Sequence, residues 1–143
     1  MKKIIALVLS VMLVACMFAA CGSKETSENT VTVTVNFEAE GKQFYTKQVS
    51  VNADEPTVLM AVQNLMDEND DITIVLDNVD DPSYVQDVND YTDGEKFWDF
   101  KIGDDMYGGS GSAKDAKIND GDVITFGYMS NDEFAALETA EVE

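Results

Sequence analysis

The chain has 143 residues, with 28 acids against nine lysines and neither arginine nor histidine. That length suits one domain of ordinary size, and the excess of carboxylates leaves no basic surface with which to hold nucleic acid. Without histidine and with only two cysteines, Ser-His and Cys-His nucleophile couples and the ordinary zinc, copper or iron cages are excluded.

The chain opens with "MKKIIALVLSVMLVACMFAACGSK", two lysines followed by an apolar run from Ile4 to Ala20 and small residues before a cysteine. A charged head, an apolar middle and a small-residue cleavage site make a secretory signal over residues 1–20. An uncleaved membrane helix is the competing reading of a run nearly long enough to span a bilayer. "AACGS" resembles the lipobox of bacterial lipoproteins, in which the cysteine thiol is acylated and the signal is cut just before it. "LVAC" at Cys16 fits the same pattern but sits inside the apolar run, whereas Cys21 closes it, so Cys21 is the expected lipidation site. The resemblance implies a lipid-anchored protein (palmitate or a similar acyl chain) on the extracytoplasmic face of the cell membrane, and two acyl chains hold firmly where one binds marginally. Cleavage leaves seven lysines against 28 acids, a side-chain charge of −21. Such a surface keeps a tethered protein soluble and is not drawn to anionic lipid.

Residues 21–30 read as a polar tether. The body follows over residues 31–129. "VTVTVNF" alternates strictly and predicts a half-buried strand with Val31, Val33, Val35 and Phe37 inward. A turn at Gly41 and the return "FYTKQVSV", with Val49 and Val51 in phase, complete a hairpin. The period then changes. Val58, Leu59, Val62, Leu65 and Met66 share a helical stripe behind Pro56, with Thr57 or Asp54 as cap and the methionines as core filler. "DITIVLDN" predicts a third strand with Ile72, Ile74 and Leu76 inward, and Tyr84, Val85 and Val88 a short further one. "FWDFKI" alternates again, setting Trp98, Phe100 and Ile102 opposite Asp99 and Lys101. A turn at Asp120-Gly121 leads into a last apolar strand. Residues 130–143 read as an acidic tail with one small apolar patch, able to form a short helix and contributing little to the core. The order predicts an α+β domain, a mixed sheet of β-grasp type with one helix packed across it.

"GGSGSAK" fails as a phosphate loop, because Lys114 follows Ala113 and precedes Asp115, and a third glycine is missing where Lys114 stands. "DVNDYTDGE" starts like a calcium loop, but its glycine comes two places late and Trp98 stands where the bidentate glutamate belongs. It reads as a solvated acidic loop. With a glycosidase cleft also beyond so small a body, the chain is expected to be no enzyme and to carry no cofactor or metal. Trp98 falls on the core side by alternation. It is a ligand wall only by position, since its strand leads to Tyr107, Gly108, Gly109 and Ser110, where bare backbone admits a ligand. Those five residues are the candidate ligand-binding set.

"FWDFKIGDDM", the glycine-serine stretch and "KINDGDVITFGY" together resemble the C-terminal domain of transcobalamin and intrinsic factor, and the bacterial lipoprotein domain grouped with it. The resemblance spans about residues 31–129 and departs from the family pattern at Gly103, where "IGDD" replaces an Asn-Gly turn. It implies a β-grasp domain that binds a soluble ligand such as a corrinoid, for which the vitamin carriers supply a second, helical domain. The expected role is an extracytoplasmic ligand-binding protein, handing a corrinoid to an uptake-system protein. A cell-surface interaction module without a small ligand is the alternative.

Overall fold

The computed structural model describes residues 29–92 and 94–140; the expected signal and the expected lipidation site at Cys21 lie outside the described residues. The alternating segment forms β1 (Thr30–Ala39), paired antiparallel with β2 (Lys42–Asn52). Val33, Val35, Phe37 and Ala39 are buried on one face of β1, with Thr32, Thr34 and Asn36 half-buried on the other. Glu40 and Gly41 close the hairpin with φ of 54° and 72°, a turn whose twist matches that of the strands it joins. A bulge between Phe37 and Glu38 shifts the register at that end.

The helical stripe forms α1 (Val58–Glu68), which lays Val58, Leu59, Ala61, Val62 and Leu65 into the core. Thr57 is its cap, accepting from the Met60 N–H at 3.4 Å. The Val58 and Leu59 N–H groups donate to the carbonyls of Ala116 and Ala113, so a distant loop satisfies donors that a helix start leaves open.

Two short strands, β3 (Ile74–Leu76) and β4 (Val85–Val88), pair antiparallel, followed by β5 (Lys96–Ile102), β6 (Val123–Ser130) and the helix α2 (Asn131–Ala140). The main sheet has the order β2-β1-β6-β5, with β1 and β6 parallel at its centre and antiparallel pairs at both flanks. The architecture is α+β, as composition and order predicted. Two expectations are corrected. The third predicted strand begins only at Ile74 and pairs with β4 in a separate two-stranded sheet. Val31, Met66, Leu76 and Ile102 are only half-buried, and Met60 is exposed. The tail forms the short helix it was expected to be able to form, begun reciprocally by Ser130 and Glu133: the Ser130 N–H donates to Glu133 Oε2 at 2.7 Å and the Glu133 N–H to Ser130 Oγ at 3.2 Å. No side chain of α2 is buried.

The core lies between α1 and the face of the main sheet that carries Phe37, Phe100 and Phe126. Phe37 and Phe126 stack at 5.0 Å, and Ala113, Ala116 and Ile118 from the segment between β5 and β6 close one end.

Candidate ligand trough

Trp98 is on the core face. It is 5% exposed, meets Phe37 edge-on at 5.8 Å and lies tilted against Tyr128 at 5.1 Å. Its indole N–H donates to the Tyr91 carbonyl at 3.3 Å, the partner that a buried indole requires. The other face of β5 carries Phe97, Asp99 and Lys101, and there the chain returns as the loop after Ile102. Gly103 takes φ 58° and donates its N–H to the Val123 carbonyl at 2.8 Å, which turns the chain beneath the sheet end.

Tyr107 lies on this second face. Its O–H donates to Glu38 of β1 in a short hydrogen bond, and the Lys101 ammonium stands 5.2 Å from the ring centroid. Gly127 of β6 makes room for the ring: a Cβ there would meet Tyr107 ring carbons at 3.0 Å and Met129 Cε at 2.7 Å. Gly108 is fixed by both conformation and space. Its φ is 72°, its N–H donates to the Phe100 carbonyl, and a Cβ would meet Asp99 Oδ2 at 3.0 Å and the Phe134 ring at 3.2 Å. Gly109 donates to the Met106 carbonyl and is exposed, while Ser110 is half-buried.

The helix α2 flanks the same place. Phe134 packs on Phe97 with ring centroids 5.9 Å apart. Two clefts meet around Tyr107. One, of about 220 Å³, lies between Met106, Phe134 and Leu137; the other, of about 440 Å³, runs from the Glu38–Gly41 turn past Gly127 and Met129 to α2. Lys101, Tyr107 and Leu137 line both, so the two form one trough. The larger is of the size that small-molecule sites occupy.

The polar groups here are poised by burial. Burial comes first in pushing the Tyr107 phenol far above its ordinary value, followed by its bond to Glu38 and the charges of Glu38 and Asp99. Burial also raises the Asp99 carboxyl, against a 2.8 Å hydrogen bond from the Phe100 N–H. The phenol therefore stays a neutral donor over the working pH range.

Of the five residues singled out from the sequence, Tyr107 lines the trough, Gly108, Gly109 and Ser110 follow it in the same loop but line neither cleft, and Trp98 is set on the opposite face of the sheet. Glu38, Lys101, Gly127, Phe134 and Leu137 were not among them. The Ser130-x-x-Glu133 capping signal and the i, i+3 pair Phe134/Leu137 mark α2 in the sequence; nothing local marks Glu38, which meets Tyr107 only through the pairing of β1 with β6. In the former calcium-loop candidate, Asn89 Oδ1 accepts from the Thr73 N–H at 2.9 Å, so that side chain braces the β3–β4 pair. No family model matches the chain, and a search of curated proteins finds no relative of it.

Proposed function

We propose that this protein is a lipid-anchored, extracytoplasmic, non-enzymatic binding domain of β-grasp type, which takes a small molecule in the trough beside Tyr107. The observation that carries the reading is the trough itself: an aromatic ring held over bare backbone at Gly127, with an apolar wall from α2 and the Glu38–Gly41 turn at its far end. The hairpin–helix–strand order and the parallel pair at the sheet centre support the β-grasp assignment. Binding is favoured over catalysis because the polar groups are committed to one another, Tyr107 to Glu38 and Lys101 to the Tyr107 ring. The resemblance to the cobalamin carriers makes a corrinoid the first ligand to test. One domain with an open trough would cover one side of such a ligand, and an uptake-system protein would complete the site.

One preparation tests both halves. The full chain, solubilised in detergent, is expected to carry a fatty-acid label that Cys21→Ala abolishes and Cys16→Ala leaves in place; the reverse pattern would overturn the anchor. Mixed with cobalamin and passed over a gel-filtration column, it is expected to elute with corrinoid absorbance, and Tyr107→Ala to lose that absorbance. Elution without absorbance removes the corrinoid assignment. Undiminished binding by Tyr107→Ala moves the site away from the trough.

A further inference from the structure

The main sheet ends in a strand whose edge is open up to Ser50, where Asn64 Nδ2 of α1 donates to the main-chain carbonyl at 2.9 Å. β2 is its outermost member, 11 residues long, and Lys42, Gln43, Phe44, Thr46, Lys47, Gln48, Ser50 and Asn52 along it are exposed. A strand in that position presents main-chain donors and acceptors to whatever can pair with them. Natural edges are commonly shortened, covered or heavily charged, and this one is long.

Its charge is at odds with the rest of the molecule. After Cys21, the 13 residues Gly41–Ala53 are the longest run without an acid in a chain of 28 acids. Within that run stand Lys42 and Lys47. The other four lysines among the described residues are engaged: Lys114 with Asp81, Lys117 with Glu55, Lys96 over Tyr128 and Lys101 over Tyr107. Among the described residues, Lys42 and Lys47 have no ion pair and no ring contact. This strongly acidic protein thus gathers the uncommitted lysines among its described residues on the longer of the two outermost strands of the main sheet. The start of that edge is also apolar. Phe44 stacks on Tyr91 at 5.4 Å and 21°, and the two rings are 38% and 37% exposed. Half-exposed aromatic rings beside a strand edge are the ingredients of a protein-docking surface.

We infer that the β2 edge is a docking site for an extended acidic segment of a partner protein, added as a further strand with an apolar side chain against Phe44 and Tyr91. Main-chain pairing supplies the affinity and the two lysines select the sign of charge. The site runs along β2 and meets the trough only at the Glu38–Gly41 turn, the trough being lined by Glu38 and Lys101 of other strands. A second copy of this chain fits poorly. Pairing β2 with β2 centre to centre would set Lys47 against Lys47, where an acidic segment sets a carboxylate.

The test uses the full chain in detergent and two labelled peptides of about ten residues, the length of a long strand, alternating valine with glutamate in one and with lysine in the other. Fluorescence anisotropy is expected to show binding of the glutamate peptide only. Reversing both lysines (Lys42→Glu with Lys47→Glu) is expected to weaken it roughly tenfold or more, as like charges meet across the new pair. The same reversal at Lys114, on another part of the surface, leaves it unchanged. Hydrogen exchange is expected to show new protection confined to the β2 amides. Equal or tighter binding of the lysine peptide overturns the inference, as does protection elsewhere. Binding that rises on charge reversal would mark the lysines as guards that keep strands away. A dimer whose formation protects the β2 amides without peptide would assign the edge to a second copy.

Discussion

Trp98 and Tyr107 stand nine positions apart in the chain and on opposite faces of one sheet, and they are held in contrasting ways. Trp98 is enclosed by rings from four segments, with its one polar atom satisfied by a backbone carbonyl. Tyr107 is half-buried and is held by charged side chains, a carboxylate at its O–H and an ammonium over its ring. The first kind of site resists change because close packing leaves nothing to move. The second can be altered chemically with little loss of fold, which suits a binding surface. The two faces should therefore respond differently to the same kind of substitution.

The largest effect belongs to the core face. Trp98→Ala removes the centre of the cluster formed with Phe37, Phe44, Tyr91 and Tyr128, and is expected to cost about 3–5 kcal/mol, as aromatic cavities in cores do. Chemical denaturation of the variant measures this directly. A midpoint close to that of the parent protein would mean that Trp98 is no core residue. If ligand binding were lost at the same time, the ligand site would belong on that face.

Much of the core face was legible because strand periodicity is local. Alternation alone set Trp98 with Phe100 and Asp99 with Lys101, and the helical stripe of α1 appeared with Thr57 as one of two cap candidates. The second face was not legible in the same way. Tyr107 lies in a loop without periodicity, and its partner Glu38 is 69 residues away. That contact exists only because β1 and β6 run parallel and adjacent, a fact of topology that no short window contains. The separate β3–β4 sheet escaped for the same reason: Ile72, Ile74 and Leu76 were recognised as strand-like, but alternation does not name the strand with which they pair. The helix α2 was legible as a possibility, but not its place beside Tyr107: the packing of Phe134 on Phe97 joins two elements that alternation does not connect.

Between the two faces lies Gly127, whose missing side chain makes room for the Tyr107 ring. Gly127→Ala would put a methyl group 3.0 Å from that ring and 2.7 Å from Met129 Cε. The methionine end can swing aside, so the ring must take up the strain. The expected cost is about 1–3 kcal/mol, the range for overpacking. Displacing the ring should also break its bond to Glu38, which would show as earlier ionisation of one tyrosine. An alanine variant with unchanged stability and unchanged tyrosine titration would mean that the ring does not rest on Gly127.

The smallest effect on stability, and the most specific test of the second face, comes from the Tyr107 hydroxyl. Tyr45 and Tyr107 have phenols raised above their ordinary value: Tyr45 is pushed up to about 12 by burial and by its bond to Asp71, and Tyr107 is raised further. For a phenol raised in the folded state, the folded form holds the proton more tightly. Its contribution to stability is then fully present below the unfolded value of about 10 and is lost as pH rises through the folded value. An ultraviolet titration of the folded protein should show Tyr45 and Tyr107 ionising in a late class. Tyr107→Phe should remove one member of that late class, while costing only about 0.5–1.5 kcal/mol, the net worth of one hydrogen bond. The substitution keeps the ring over Gly127 and beneath Lys101, so the trough keeps its shape. If the late class keeps both members in Tyr107→Phe, the phenol is not held by Glu38, and the second face loses the interaction that distinguishes it from the first.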